Sequence, residues 1–197
     1  MITGHLGVLG AALSVSRARS SSVALVALIV ASFAPDILDA AYSVAGFCSP
    51  YGLYSHTLPA VVLETAIVAG IAYLVTRSRA TTLLAALVVL LHIPADFLTG
   101  RKLLWPGGEM TGMDWYDRPL HDFLLEVPTV LVGWWLLRRS RRAPRWATSV
   151  PVLALILLLQ ATFDVVTART GRGIKPSACF IMRAPGDNVF RVVYTRP

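Results

Sequence analysis

The stretch from Ala80 to Leu98, which reads ATTLLAALVVLLHIPADFL, decides the fold class. Its apolar residues are numerous enough to cross a bilayer as a helix, which takes about 20 residues. Near its end it carries two ionisable groups, His92 and Asp96, one helical turn apart and therefore on one face. Because ionisable groups at membrane depth cost free energy, they mark a candidate functional site. The stretch predicts a membrane helix that contributes to such a site.

Similar apolar runs occur along the rest of the chain. Three further strong ones are His56 to Thr76, Leu120 to Leu137 and Val150 to Val166. Two weaker ones are Ile2 to Val15 and Ser22 to about Ala34, the second continuing irregularly from Ile37 to Phe47. Each weaker run is too short for a full span and either half-spans the bilayer or packs inside the bundle. We therefore expect an all-α integral membrane protein, a bundle of about six helices with two short N-terminal ones, over residues 1–170.

The remaining residues, 171–197, form a separate extramembrane tail. Two β-rich runs, Cys179 to Arg183 and Val189 to Tyr194, flank the turn-forming residues Pro185-Gly-Asp-Asn188. That pattern is typical of a hairpin with a turn of about four residues.

Composition supports the membrane class and excludes others. Hydrophobic residues make up 55% and charged residues 15%, against about 25% charged residues in soluble domains. The net charge of +7 does not indicate nucleic-acid binding, because the arginines cluster in short loops between apolar runs, as membrane topology requires. The partner that we expect is the lipid bilayer.

The placement of basic residues predicts an orientation. The loops after the first, third and fifth runs contain nine arginines and no acidic residue, so they should be cytoplasmic, with both termini outside. The six basic residues of residues 169–197 argue in the other direction. If the tail is outside, Cys48 and Cys179 both face an oxidising compartment, where a disulfide becomes possible. Two unrelated buried thiols are the alternative.

On this topology the ionisable residues gather at the predicted outer end. All four histidines belong to this group. Five residues from four runs qualify as ligands of one divalent cation: His5, Asp36, His56, His92 and Asp96. Nitrogen and carboxylate ligands suit zinc, or less specifically manganese or iron. The chain has two cysteines and no CxxC motif, which excludes a cysteine zinc site.

Several polar residues near this end have a simpler interpretation as well. His121 could be an interhelical hydrogen-bond partner, Asp39 an exposed carboxylate at a helix end, and Asp122 a first-turn acid favoured by the helix dipole. Glu64 lies two turns inside its run and is either a partner of a metal ligand or a neutral carboxyl group.

Four motifs in order carry a family resemblance: Thr3-Gly-His5, Ala34-Pro-Asp36, Tyr54-Ser-His56-Thr57 and Leu91-His92-Ile-Pro-Ala-Asp96-Phe-Leu-Thr99. Over roughly residues 1–106 the chain resembles the inner-membrane-associated, metal-dependent hydrolases of the LexA-binding, YdjM-like family. The resemblance implies a bacterial inner-membrane hydrolase with the five residues above as metal ligands. The order of ligands is also similar, more distantly, to that of helical zinc-dependent phospholipases C. Two motifs depart from the family: P-D-x-D-H reads Pro35-Asp36-Ile-Leu-Asp39, and H-R-G reads Tyr51-Gly52-Leu53.

The sequence thus predicts a multi-pass metal-dependent hydrolase, acting on a lipid or lipid-linked phosphoester at the outer membrane face. Asp39 or Glu126 is the expected general base, and Arg101 and Lys102 either hold a phosphate or lie at the interface. The rival is a non-catalytic metal-binding protein or an ion or proton transporter, for which Glu64, Glu126 and Asp164 would form a relay. No run carries an acidic residue nearer the cytoplasmic end than Glu64, which favours a surface site.

Overall fold

A computed structural model of the chain describes residues 3–15, 21–45, 47, 53–113, 115, 119–170, 179–183 and 190–194. The helices in this part are α1 (Gly4–Val15), α2 (Ser22–Ser32), α3 (Ala34–Val44), α4 (Leu58–Thr76), α5 (Arg79–Leu90), α6 (His92–Thr99), α7 (Pro119–Ser140) and α8 (Val150–Thr170). The strands are β1 (Lys102–Leu103), β2 (Met110–Thr111), β3 (Cys179–Arg183) and β4 (Phe190–Tyr194). The predicted all-α class is confirmed.

Helix length and apolarity agree with a membrane protein. By these two criteria, three helices in the described part of the chain are able to cross a membrane: Leu58–Thr76, Arg79–Thr99 (α5 with α6) and Leu120–Ser140. A fourth would be the α2–α3 pair, bent by 58°. The apolar parts of α1 and α8, Gly4–Ser14 and Val150–Val166, are shorter, so the last strong run has its predicted bounds but is too short for a membrane span by the same criteria. The outward face of α4 is apolar, with Leu63 and Leu74 each 62% exposed, as contact with lipid requires.

Two prolines set the breaks in the helices. A proline ring clashes with the carbonyl four residues earlier and removes an N–H. Pro35 accordingly follows the end of α2, and Pro94 follows the turn at Leu91 that separates α5 from α6. The sequence predicted an irregular segment from Ile37 to Phe47, whereas the structure has a break at Phe33 followed by a regular helix, α3. The second break was not predicted. Each break is followed within a few residues by an acid, Asp36 or Asp96.

The core lies between α1, α2, α4 and α5, where Leu13, Leu28, Val61 and Val89 are buried. Helix α1 packs along α7 at glycine positions. A β-carbon on Gly133 would overlap the backbone of Gly7, and one on Gly10 would overlap the carbonyl of Gly133. Such close approach is open only to residues without a side chain. Of the two interpretations of the first run, packing inside the bundle is correct.

Two antiparallel hairpins complete the described structure. In the first, which the sequence did not predict, Lys102 pairs with Thr111 and Leu103 with Met110. Its ends are anchored, since the Leu58 N–H donates to the Leu104 carbonyl and the Met113 N–H to the Phe97 carbonyl. The second, β3–β4, confirms the predicted tail hairpin. Cys48 and the side chain of Cys179 lie outside the described residues, so the disulfide stays a prediction.

Candidate metal centre

The five predicted ligands come together at one point. The Nε2 atom of His56 lies 3.3 Å from Asp36 Oδ1 and 3.3 Å from Asp96 Oδ2. The Nε2 atom of His92 lies 3.6 and 3.5 Å from the same two oxygens. His5 Nε2 is 3.8 Å from Asp36 Oδ2. Three imidazole nitrogens therefore face two carboxylates across a common centre.

These separations are typical of ligands around an ion. Charge-assisted N–H···O bonds measure about 2.7–2.9 Å, shorter than any of these distances. Around a tetrahedral zinc ion with bonds of about 2.0–2.1 Å, neighbouring ligand atoms stand about 3.3 Å apart. In two groups of three residues, the potential ligand atoms all lie within 4.8 Å of one another. These groups are His5, His92 and Asp96, and Asp36, His56 and His92. His92 belongs to both groups, so it lies at the middle of the cluster.

Unpaired nitrogen atoms show that the cluster fits a cation. Within the part of the chain that the structure describes, His5 Nε2 and His92 Nε2 are buried and have no hydrogen-bond partner. A buried polar atom without a partner costs free energy. A divalent cation among these nitrogens and the two carboxylates would offset that cost. The donor set of three imidazoles and two carboxylates suits zinc best, with manganese or iron as alternatives.

Local structure orients each ligand. His5 lies in the first turn of α1 and Asp36 in the first turn of α3, where the helix dipole favours a carboxylate. His92 and Asp96 are one turn apart on α6, and the imidazole rings of His5 and His92 stack at 4.1 Å. Four of the five ligands are buried, whereas the Asp36 side chain is 42% exposed. The centre therefore opens toward the surface at Asp36.

A hydrogen-bond chain behind His56 fixes its ring. The Ser55 hydroxyl donates to Asp39 Oδ1 over 3.0 Å and lies 2.7 Å from His56 Nδ1. Since the hydroxyl proton goes to Asp39, Nδ1 is the donor to Ser55, which leaves the Nε2 lone pair directed at the centre. Asp39 thus lies at the rim of the cluster, linked to one of its ligands through Ser55.

Glu126 belongs to a second polar network beside the centre. Its Oε2 atom accepts from the backbone N–H groups of Thr3 (2.7 Å) and Gly4 (3.0 Å). Thr3 Oγ1 lies 2.9 Å from that oxygen and 2.8 Å from Gln160 Oε1. The Gln160 amide donates to Asp122 Oδ2 and Asp164 Oδ1. The sequence analysis did not single out Gln160, although an amide inside the apolar run of α8 was a usable signal.

The other candidates lie outside the cluster. Arg101 is exposed, and Lys102 is half-buried in β1, just beyond the end of α6. His121 lies near Trp115, with ring centroids 5.7 Å apart. Glu64 is buried, and among the described residues its carboxylate oxygens have no hydrogen-bond partner. The geometry leaves both interpretations of Glu64 open.

The fold and the centre define an α-helical membrane protein with a histidine–aspartate cluster near one end of its bundle. The model of the YdjM inner membrane protein family matches residues 1–168. The chain therefore belongs to the YdjM inner membrane protein family, as the motifs predicted, and the match extends well past the residues that carried the resemblance. Neither a curated protein nor a solved structure matches the chain.

Proposed function

We propose that this chain is a multi-pass, metal-dependent hydrolase that cleaves a lipid or lipid-linked phosphoester at the outer face of the inner membrane. The observation that carries the proposal is the convergence of three Nε2 atoms and two carboxylates at distances of 3.3–3.8 Å. Only one of these contacts, His56 Nε2 to Asp36 Oδ1, is a hydrogen bond, whereas His5 Nε2 and His92 Nε2 have no hydrogen-bond partner among the described residues, and a cation between the groups would bind them.

Within the proposed centre His5, His56, His92, Asp36 and Asp96 hold a divalent ion, most suitably zinc. Such an ion polarises an ester or phosphoryl oxygen and makes a water molecule more acidic. The chain supplies the remaining functions. The exposed edge at Asp36 gives access to the substrate, and Asp39 accepts the proton from the attacking water at the rim. The hydrogen bond from Ser55 orients the Asp39 carboxylate for this purpose.

The hairpin β1–β2 supports a phosphate-containing substrate. It follows α6 directly and carries Lys102 next to the end of the helix that holds Asp96. Arg101 is exposed at the same place. A guanidinium and an ammonium group there would attract a phosphate, the guanidinium being able to bind two of its oxygens. In the proposed complex these two side chains hold the phosphate while the metal ligands hold the ion.

Location supports a lipid as the rest of the substrate. Trp105, on the loop of this hairpin, is 61% exposed, and Trp115 is 42% exposed. Tryptophan side chains in such positions favour the headgroup region of a bilayer. A centre at that depth meets lipid headgroups rather than free metabolites. This is why we favour a lipid or lipid-linked ester over a soluble one.

Purified protein in mild detergent tests the proposal through elemental analysis and a panel of phospholipids and lipid-linked phosphates. We expect bound zinc or manganese, and cleavage that stops when a chelator is added. Asp39→Asn should keep its metal and lose hydrolysis by about 100-fold or more, the usual contribution of a general base. Ser55→Ala keeps the carboxylate and should lose less.

The outcomes separate the parts of this proposal. A protein that takes up no metal would reject the non-catalytic metal-binding alternative as well and leave the transport alternative, to which the buried Glu64 carboxylate would contribute. Bound metal without cleavage of any ester would reject the hydrolase and keep the ligands. Equal losses in Asp39→Asn and Ser55→Ala would show that Asp39 acts through His56 and is not the base.

The orientation has its own test in intact cells. On a background without native cysteines, single cysteines at Ser78 and Ser140 should be shielded from an impermeant thiol reagent, because both lie in arginine-rich cytoplasmic loops. A cysteine at Gly107, on the exposed hairpin loop, should be labelled. The reverse pattern would move the centre to the cytoplasmic face.

A further inference from the structure

The Glu126 carboxylate holds the N-terminus of the helix that carries His5. Glu126 lies on α7, and its side chain is fully buried, with 0% exposure. Its Oε2 atom accepts from the N–H groups of Thr3 and Gly4 at 2.7 and 3.0 Å, and the Thr3 hydroxyl lies 2.9 Å away. These residues stand directly before His5 in the chain.

Helix physics explains why this contact matters. The first N–H groups of a helix have no partner within the helix, and a negative charge near them also interacts favourably with the helix dipole. In α1 these roles fall to a side chain from another helix, 123 residues away in sequence. Since α1 is only 12 residues long, its axial position depends strongly on what holds its ends.

The other contacts of His5 restrain the orientation of its imidazole ring more than the position of the ring along the axis of α1. Its ring stacks on that of His92 at 4.1 Å and meets the Phe33 ring edge-on at 5.8 Å. Stacked rings slide past one another at small cost. The hydrogen bonds at residues 3–4, together with the contact of Gly7 with Gly133, therefore determine where His5 Nε2 stands relative to Asp36.

We propose that Glu126 is a positioning residue, which sets the height of α1 and thereby places His5 at the metal centre. The inference rests on the proposed metal function. It gives Glu126 a role different from that of a proton acceptor, because two backbone N–H groups already donate to Oε2. Through Thr3 and Gln160 the same network extends to α8, so three helices contribute to the position of one ligand.

A double-mutant cycle on the full chain in detergent tests this role, with zinc affinity measured by chelator competition. Glu126→Leu should weaken zinc binding by about 10–100-fold, the usual loss when a group that orients a ligand is removed. Glu126→Gln, which keeps an acceptor oxygen, should lose much less. On a His5→Ala background Glu126→Leu should cause no further loss, because the ligand that it positions is already gone. Leu124→Ala, on the exposed side of the same helix and outside this network, should bind zinc as the wild type does.

Hydrogen exchange supplies a readout that needs no metal. In Glu126→Leu the amides of residues 3–6 should exchange faster, while those of α5 stay protected. If Glu126→Leu does not fold, Glu126→Asp replaces it in the same double-mutant cycle. This variant keeps the negative charge but moves the carboxylate away from the Thr3 and Gly4 N–H groups by the length of one methylene. Losses that multiply in the double variant, or unchanged affinity in Glu126→Leu, would overturn the positioning role alone. A wild-type chain that binds no zinc, or a His5→Ala variant that binds it equally well, would overturn the proposed centre and this inference with it.

Discussion

His92→Ala is expected to abolish stoichiometric metal binding and to lower the melting temperature in the same variant. His92 belongs to both ligand groups of the cluster, and its side chain is 1% exposed. Removing it should reduce affinity by more than about 100-fold, beyond the loss typical of a group that only orients a ligand. Ligand that binds the native state alone stabilises it by about 2.7 kcal/mol at 100 times its Kd, so the metal-dependent part of the stability should vanish.

Melting curves with and without chelator separate this effect from simple loss of packing. The wild type should melt at a lower temperature when chelator is added, whereas His92→Ala should melt at the same temperature in both conditions. Asp96→Ala should behave in the same way. His121→Ala is the control, because His121 lies beside Trp115 and outside the cluster. A chelator response in His92→Ala as large as that of the wild type would refute the assignment of His92.

Gly133→Ala is expected to destabilise the bundle strongly, because it disrupts the packing of α1 against α7. The added β-carbon would overlap backbone atoms of Gly7 on α1, which cannot rotate away as a side chain can. Overpacking of a core typically costs about 1–3 kcal/mol, and contact with backbone places this position at the upper end. Because α1 carries His5, zinc affinity should fall together with the melting temperature.

Gly70→Ala is a matched control for this variant. Gly70 also lies inside a long helix, α4, but nothing stands within 4 Å of the β-carbon that it would gain. Alanine is the better helix former by about 0.5–1 kcal/mol, so this variant should be as stable as the wild type or slightly more so. Similar melting temperatures for Gly133→Ala and Gly70→Ala would show that α1 and α7 do not approach each other as described.

The sequence predicted the helices and the clustering of the five residues because both follow from the order of residues along the chain. Apolar runs give the helices, and the distance of an ionisable residue from the end of its run gives its depth. In a small bundle, residues that lie at the same depth and face the interior are close to one another. His5, Asp36, His56, His92 and Asp96 therefore met as expected, although four separate segments carry them.

Contacts across the bundle left no such signal. The bond from Thr3 to Glu126 joins residues 123 positions apart, and a depth argument cannot tell a ligand from its neighbour at the same height. The sequence accordingly offered Glu126 as one of two candidates for the general base, beside Asp39, and it did not single out Gln160. Each strand of the hairpin β1–β2 is only two residues long, which is too short for an alternating apolar and polar pattern to appear in the sequence. Pro94 was an ambiguous signal of the break between α5 and α6, because a proline ring disfavours a regular helix and yet α7 continues through Pro128.

The glycine contact between α1 and α7 has a consequence for biogenesis. Ribosomes add about 5–20 residues per second, so α1 leaves the ribosome several seconds before α7 exists. During that time the first helix is too short to settle across the bilayer and lacks the partner that Gly7 and Gly133 provide. A nascent chain stopped before α7 would already contain every metal ligand, but with His5 on an undocked helix. Under the proposed function, metal loading would then be completed only after α7 has been made, because His5 lacks its docked position before that.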